Sequence, residues 1–261
     1  MSLVPASRPS RMDLAGLAWT LVRTDFKVRY HGTFMGFFWA LLKPTAMFLV
    51  LMAVFSFIFA RDPNYKLNLI LGLFLWDFFA ESTKLGVTAL AAKGYLLAKT
   101  NFPRWLLVVT AASNPLLTLA VVCTAIVITL SAIGRAPSPA ALALFGLCLL
   151  ALVTMVLGFS LGASVLFLRY RDLNQIWDVI VQAGFFLAPV VYPLSILPER
   201  FHFYLYLWPP TPVIQFSRTL LVDGHLPTGK AFLMLAGVTT FILTAGLALF
   251  RRYAPAAAEH L

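Results

Sequence analysis

The chain has 261 residues, 61% of them apolar and only 11% charged, with a mean hydropathy of +0.87. A soluble domain carries roughly 25% charge, and several apolar runs here exceed the ~20 residues that cross a bilayer. This excludes a soluble enzyme or a free nucleic-acid-binding domain and predicts one polytopic membrane domain over residues 1–261, whose formal charge of +10 reports loop positions rather than a nucleic-acid partner.

Residues 1–12 are basic and contain proline, without the short apolar core and cleavage site of a signal peptide. Over 13–31, Leu14, Leu17, Ala18, Leu21, Val22 and Phe26 recur at helical spacing, with Arg23, Lys27 and Arg29 on the other side. A basic amphipathic helix ahead of the first span predicts an element lying in the membrane surface, in contact with lipid. Span 1 is expected over 34–60, with Lys43 snorkelling from two turns inside it. Gly32 and Gly36, like Gly158 and Gly162 later, have the small-xxx-small spacing that lets helices approach closely.

Span 2, over 67–90, carries Asp77 and Glu81 at i,i+4, with Lys84 as the expected partner of Glu81. A loop with short helical content follows over 91–104. Span 3, over 105–133, is expected to kink at Asn114–Pro115. Span 4 covers 140–168, and Cys123 and Cys148 fall inside apolar runs as reduced, buried thiols.

Span 5 begins near Asn174 and degrades over 184–222, where Pro189, Pro193, Pro198, Pro209, Pro210 and Pro212 forbid one continuous helix. The apolar pieces between these prolines suit re-entrant or interfacial segments. Broken backbone at membrane depth survives only where protein buries it or where it lines a wet cavity. Span 6 covers 231–250 and stops at Arg251–Arg252. With the N-terminus inside, the Lys and Arg of inner segments outnumber those of outer segments by about two to one, counting Arg218 as outer. Six spans with both termini in the cytoplasm are therefore expected.

Gly224 to Lys230 matches the opening of a phosphate-binding loop, but Ala231 replaces the hydroxyl residue that holds magnesium, and no strand pattern precedes it. No ATP site is expected in this chain. His31, His202, His225 and His260 are scattered, so neither a metal cluster nor a catalytic triad is indicated. Asp77 and Glu81 have two readings, a proton or ion relay, or a polar pair that faces a wet cavity or bonds to a neighbouring helix. Tyr192, Phe201, Tyr204, Tyr206 and Trp208 also have two, interfacial anchors or platforms that stack on sugar rings. Arg23, Lys27, Arg29 and Lys43 form a basic inner mouth that attracts phosphate, whether from lipid or from a pyrophosphate-linked substrate.

In order along the chain stand Arg23-Thr-Asp-Phe-Lys-Val-Arg-Tyr30, Gly36-Phe-Phe-Trp-Ala-Leu-Leu-Lys-Pro44 and Gly72-Leu-Phe-Leu-Trp-Asp-Phe-Phe79. Lys99-Thr-Asn-Phe-Pro-Arg104, Arg171-Asp-Leu173, Ala188-Pro-Val-Val-Tyr-Pro193 and the Pro209 to Arg218 run follow. Together these pieces resemble the membrane subunit of bacterial ABC polysaccharide exporters, the O-antigen, teichoic-acid and capsule permeases of the type-2 exporter fold, and most nearly the O-antigen type. The resemblance implies an all-α homodimer, six spans per chain, and two copies of a separate ATPase that bind ATP and magnesium. It implies periplasmic re-entrant helices between spans 5 and 6 and a cytoplasmic coupling loop of Lys93, Gly94, Tyr95, Leu96, Lys99, Asn101, Phe102 and Arg104. The exported cargo would be a polyprenyl-pyrophosphate-linked polysaccharide entering past Arg23, Lys27, Arg29, Tyr30 and Lys43. Trp39, Trp76 and Asp77 would join Tyr192, Phe201, Tyr204, Tyr206 and Trp208 along the glycan path. Asp77 departs from the family pattern, in which an uncharged polar residue is expected.

Overall fold

The computed structural model describes residues 11–32, 34–60, 62–99 and 102–255. Asn101 lies outside them. Among the described residues the regular structure is entirely helical: α1 (Arg11–Tyr30), α2 (Phe38–Phe55), α3 (Tyr65–Ala92), α4 (Gly94–Lys99), α5 (Arg104–Ala111) and α6 (Ser113–Ala132). The chain continues through α7 (Pro139–Arg169), α8 (Leu173–Leu187), α9 (Glu199–Tyr206), α10 (Pro210–Arg218) and α11 (Gly229–Tyr253). Phe38–Phe55, Arg104–Ala132, Pro139–Arg169 and Gly229–Tyr253 are long and apolar enough to cross a membrane. Their outward faces are rich in exposed Leu, Ile, Val and Phe, as lipid-facing helices require.

Two expected spans differ from these four for distinct reasons. At ~1.5 Å per residue, the 28 residues of α3 are long enough, but Lys66, Asp77, Glu81 and Lys84 dilute its apolar character. The 15 residues of α8 reach only ~22 Å, against a hydrocarbon core of ~30 Å. It ends at Ala188, where Pro189 cannot donate the next helical hydrogen bond.

The predicted kink appears as a break between α5 and α6 at Ala112. Pro115 has no N–H to return to Ala111, so the ladder restarts when Leu116 donates to the Ala112 carbonyl.

α3 is the axis of the bundle, touched by α2, α5, α6, α7, α8 and α10. Leu69, Leu75, Val87 and Leu90 along it are fully buried. α8 is held to the bundle where Trp177 Nε1 donates to Thr83 Oγ1 at 3.0 Å and its ring stacks on Phe159, centroids 4.1 Å apart.

The two glycine pairs part company. Gly32 and Gly36 have φ of 78° and 51°, so they serve the turn between α1 and α2 rather than a helix contact. Gly158 and Gly162 do face α11: a Cβ on Gly158 would lie 2.6 Å from Leu243 Cα, and one on Gly162 would lie 3.2 Å from Gly246 Cα. Backbone meets backbone there, so a methyl group forces the helices apart. Gly158→Ala is expected to destabilise the α7–α11 pair by about 1–3 kcal/mol, read as a lower melting temperature of the detergent-solubilised protein. An unchanged melting temperature would show that the pair is not tightly packed.

After α8 the chain makes one tight turn over Leu194–Ile196, then α9, then α10, which returns against α3 and α7. A π-helical turn, Thr219–Asp223, ends at Gly224, whose φ of 73° permits the reversal into the loop before α11. Arg218 ties this broken region together. Its Nη1 and Nη2 donate to the carbonyls of Pro189 and Val190 at 2.6 and 2.8 Å, and Nε donates to the Asn68 carbonyl at 3.0 Å. Only 6% of Arg218 is exposed, so it is not the outer loop charge that the sequence count takes it for. Removing it from that count strengthens the inward bias of the remaining cations.

Candidate functional site

Asp77, Glu81 and Lys84 stand at i, i+4 and i+7 of α3 and share a face. Lys84 is not the partner of Glu81. The Arg29 guanidinium, at the end of α1, donates to Glu81, while Lys84 Nζ pairs with Asp178 Oδ1 of α8 at 2.7 Å. Tertiary packing brings a cation to one side of Glu81 and a carboxylate to the other side of Lys84. An i,i+3 pair on a wet helix is worth only ~0.2–0.5 kcal/mol and yields to both. A second ion pair joins the same elements, with Lys93 Nζ 2.5 Å from Asp25 Oδ2. The interface-helix candidate α1 is thus pinned to α3 at Glu81 and at the C-cap Lys93, beside α4. Phe26, Tyr30 and Phe37 cluster at the turn into α2, with ring centroids 4.8 to 5.8 Å apart.

Two cavities meet on this row. The first, about 260 Å³, is lined by Arg29, Tyr30, Gly36, Trp39, Ala40, Lys43, Asp77 and Glu81. Burial is the main cause that raises the Tyr30 phenol above its ordinary value. The second cavity, about 700 Å³, is a broad apolar groove between α2, α3 and α8. Its walls include Met47, Val50, Leu73, Trp76, Phe185 and Phe186, with Lys43, Asp77, Lys84 and Gln182 as polar points. Lys43 and Asp77 line both cavities. Lys43 therefore borders both cavities, a more specific position than general snorkelling describes.

The inner set of predicted residues divides accordingly. Arg29, Tyr30 and Lys43 come together, joined by Trp39 and Asp77, whereas Arg23 and Lys27 are exposed on α1 and line neither cavity. The aromatic set divides too. Trp76 and Trp208 belong to one cluster, with ring centroids 6.3 Å apart, and both contact Phe79. Gly184 makes room for them, since a Cβ there would lie 2.5 Å from the Trp208 ring and 3.1 Å from Trp76. Tyr206 packs on Phe216. The Tyr192 hydroxyl donates to the Phe186 and Leu187 carbonyls and caps α8. Phe201 and Tyr204 are exposed on α9.

Around the 91–104 loop, α4 ends at Lys99, Tyr95 is 64% exposed, and Leu96 and Phe102 pack on a core of Leu90, Leu107 and Leu168. Arg104 starts α5. Sequence reasoning missed Phe185, Phe186 and Gln182 as groove residues, and Arg29 and Asp178 as the partners of Glu81 and Lys84. It also missed the buried anchoring role of Arg218, whose one signal is a cation in an apolar, proline-broken run.

A family model described as ABC-2 type transporter matches residues 16–222, from within α1 to the π-helical turn. The chain belongs to the ABC-2 transporter membrane family. The O-antigen export system permease protein RfbA of Myxococcus xanthus is 29% identical over 242 residues, covering 90% of this chain and 91% of the relative. RfbA of Klebsiella pneumoniae is 29% identical over 237 residues, covering 89% and 90%. The polysialic acid transport protein KpsM of Escherichia coli is 23% identical over 235 residues, covering 87% and 89%. Both cavities lie inside the ABC-2 match, as does the whole broken region up to Val222.

Proposed function

We propose that this chain is the channel-forming membrane subunit of an ATP-driven exporter that moves a polyprenyl-pyrophosphate-linked, O-antigen-like polysaccharide from cytoplasm to periplasm. The carrying observation is that Lys43 and Asp77 line both a charged cavity beside α1 and a groove of about 700 Å³ with aromatic walls. Support comes also from relatives named as O-antigen export permeases, aligned over about nine-tenths of both chains. In this reading α2, α3, α5 with α6, α7, α8 and α11 are the six spans of an inner-membrane protein with both termini in the cytoplasm. The segment 184–222 re-enters from the periplasmic side.

Two copies would face each other across the exposed apolar sides of α2 and α8, enclosing the groove. Two copies of an ATP-hydrolysing partner would bind ATP and magnesium and dock on the 91–104 loop. There Tyr95 is the exposed contact, Leu96 and Phe102 are the anchors, and Lys93 relays the motion to α1 through Asp25. Arg23 and Lys27 would gather the head group at the lipid surface, and Arg29, Tyr30 and Lys43 would receive it. Trp39, Trp76 and Tyr192, with Phe201, Tyr204, Tyr206 and Trp208 towards the far mouth, would offer weak, repeated stacking along which a polymer slides.

The test is reconstitution with the ATPase and a labelled lipid-linked glycan. ATP-dependent movement of glycan into the vesicle lumen is expected, with ATPase stimulated by the substrate. Movement without ATP, or movement driven by a proton gradient alone, would replace this reading with an ion-coupled carrier. Turnover of a polyprenyl-linked sugar by the isolated chain, lost in Asp77→Asn, would replace it with a transferase.

A further inference from the structure

A third cavity, about 290 Å³, lies between the start of α3, the irregular segment at Val190–Ser195 and the end of α10. We propose that it is a subsite for one neutral sugar residue, and that its two carboxylates turn acidic sugars away. The inference rests on the export reading above and adds to it a selectivity filter away from the main groove.

The cavity is built unlike the groove. Asp62, Asn68, Tyr192, Ser195, Gln215 and Asp223 all reach its wall, in place of the apolar lining of the groove. The wall itself is fixed. The Tyr65 hydroxyl donates to the Val191 carbonyl at 2.9 Å, and Arg218 holds the Pro189 and Val190 carbonyls. Within this frame two fully buried atoms, Asn68 Oδ1 and Gln215 Nε2, have no hydrogen-bond partner among the described residues. One accepts and the other donates. Buried polar atoms are nearly always paired, and once the two amides turn towards the cavity, sugar hydroxyls can give a proton to the one and take a proton from the other. The volume stands near the lower end of the ~300–1,000 Å³ typical of small-molecule sites, room for one ring and not for a chain.

Charge then decides which sugar. Among the described residues Asp62 and Asp223 face the cavity against one cation, Arg218, and each of its three nitrogens already donates to a carbonyl. A uronic or sialic carboxylate would meet two like charges, against a guanidinium already engaged by three carbonyls. A neutral ring offers hydroxyls that donate to both carboxylates. Tyr192, its hydroxyl tied to the Phe186 and Leu187 carbonyls, supplies the aromatic wall on which a ring face can lie.

The test uses the assembled complex with its ATPase in nanodiscs and saturation-transfer NMR. The probes are a panel of neutral trisaccharides of gluco, manno and galacto configuration, and a sialic acid trimer. At least one neutral trisaccharide should give signal. Asn68→Leu combined with Gln215→Leu should weaken its binding about tenfold, the loss expected for two modest hydrogen bonds. The sialic acid trimer should be silent on the native complex and gain signal in Asp62→Asn with Asp223→Asn. This second pair changes charge at constant shape, so a gain cannot arise from misfolding. The subsite is overturned by silence across the neutral panel or by neutral binding unchanged in the leucine pair. Native binding of the acidic trimer as strong as that of the neutral ones, or its continued silence in the asparagine pair, overturns it too. In those cases the cavity holds water only. ATP-driven glycan export measured on the same preparations separates the two levels. Export that persists without subsite signal sinks the subsite alone, and export absent from the native complex sinks the reading beneath it as well.

Discussion

Arg218→Met is expected to remove folded protein from the membrane, a loss of about 3–5 kcal/mol. The size follows from what the side chain does. Three carbonyls, of Asn68, Pro189 and Val190, receive their hydrogen bonds from one guanidinium. Two of them belong to the point where α8 ends and the backbone has lost its own ladder. Methionine fills the space but leaves those carbonyls unpaired, at about 1–3 kcal/mol each. Lysine should not rescue, because a single ammonium cannot span three acceptors held by a planar fork. The surroundings are shaped for the guanidinium, since a Cβ on Gly72 would lie 2.5 Å from Arg218 Nη2. Expression level and the detergent melting temperature check it. Normal amounts of Arg218→Met with a native melting temperature would show that water replaces the guanidinium at no cost, and the anchor would be discarded.

The parts of this fold legible in the sequence are those set by one-dimensional signals. Continuous apolar runs gave α2, α7 and α11 to within a few residues, and Pro115 gave the break between α5 and α6. The prolines from Pro189 to Pro212 gave the end of α8 and the short helices after it. What was not legible depends on which helix faces which. Glu81 and Lys84 are three residues apart, and nothing local says that α1 offers Arg29 to one while α8 offers Asp178 to the other. The glycine spacings make the same point. Gly32 and Gly36 repeat the interval of Gly158 and Gly162, yet the first pair lies in a turn and the second against Leu243 and Gly246. Arg218 was hidden more deeply, because a cation near the end of a loop-like stretch reads as a surface charge until the carbonyls that need it are known. At the inner site, residue types pointed to a phosphate-attracting patch. Only the packing separated Arg29, Tyr30 and Lys43, which share a cavity, from Arg23 and Lys27, which do not.

Arg29→Gln is expected to lower ATP-driven glycan transport at least about tenfold while leaving stability almost unchanged, and the two magnitudes together carry the argument. The Arg29–Glu81 pair is partly exposed, with 37% and 27% of the side chains accessible. Such pairs contribute only about 0–1 kcal/mol to stability, and Lys93 with Asp25 still holds α1 to the end of α3. A large fall in transport at a constant melting temperature therefore measures a function of the guanidinium rather than a structural loss. The direction of the partner variant separates the causes. If Arg29 receives a pyrophosphate, Glu81 competes for it in the resting state, because both carboxylates and both cations line the same 260 Å³ cavity. Glu81→Gln should then lower the substrate concentration for half-maximal transport, opposite to Arg29→Gln, and Lys43→Gln should follow Arg29→Gln. If the pair only fixes α1 in place, Glu81→Gln and Arg29→Gln break the same contact and must shift transport in the same direction. Opposite shifts identify the cavity as an anion-exchange site where Glu81 holds the place of the incoming phosphate. Parallel shifts reduce it to a structural clasp.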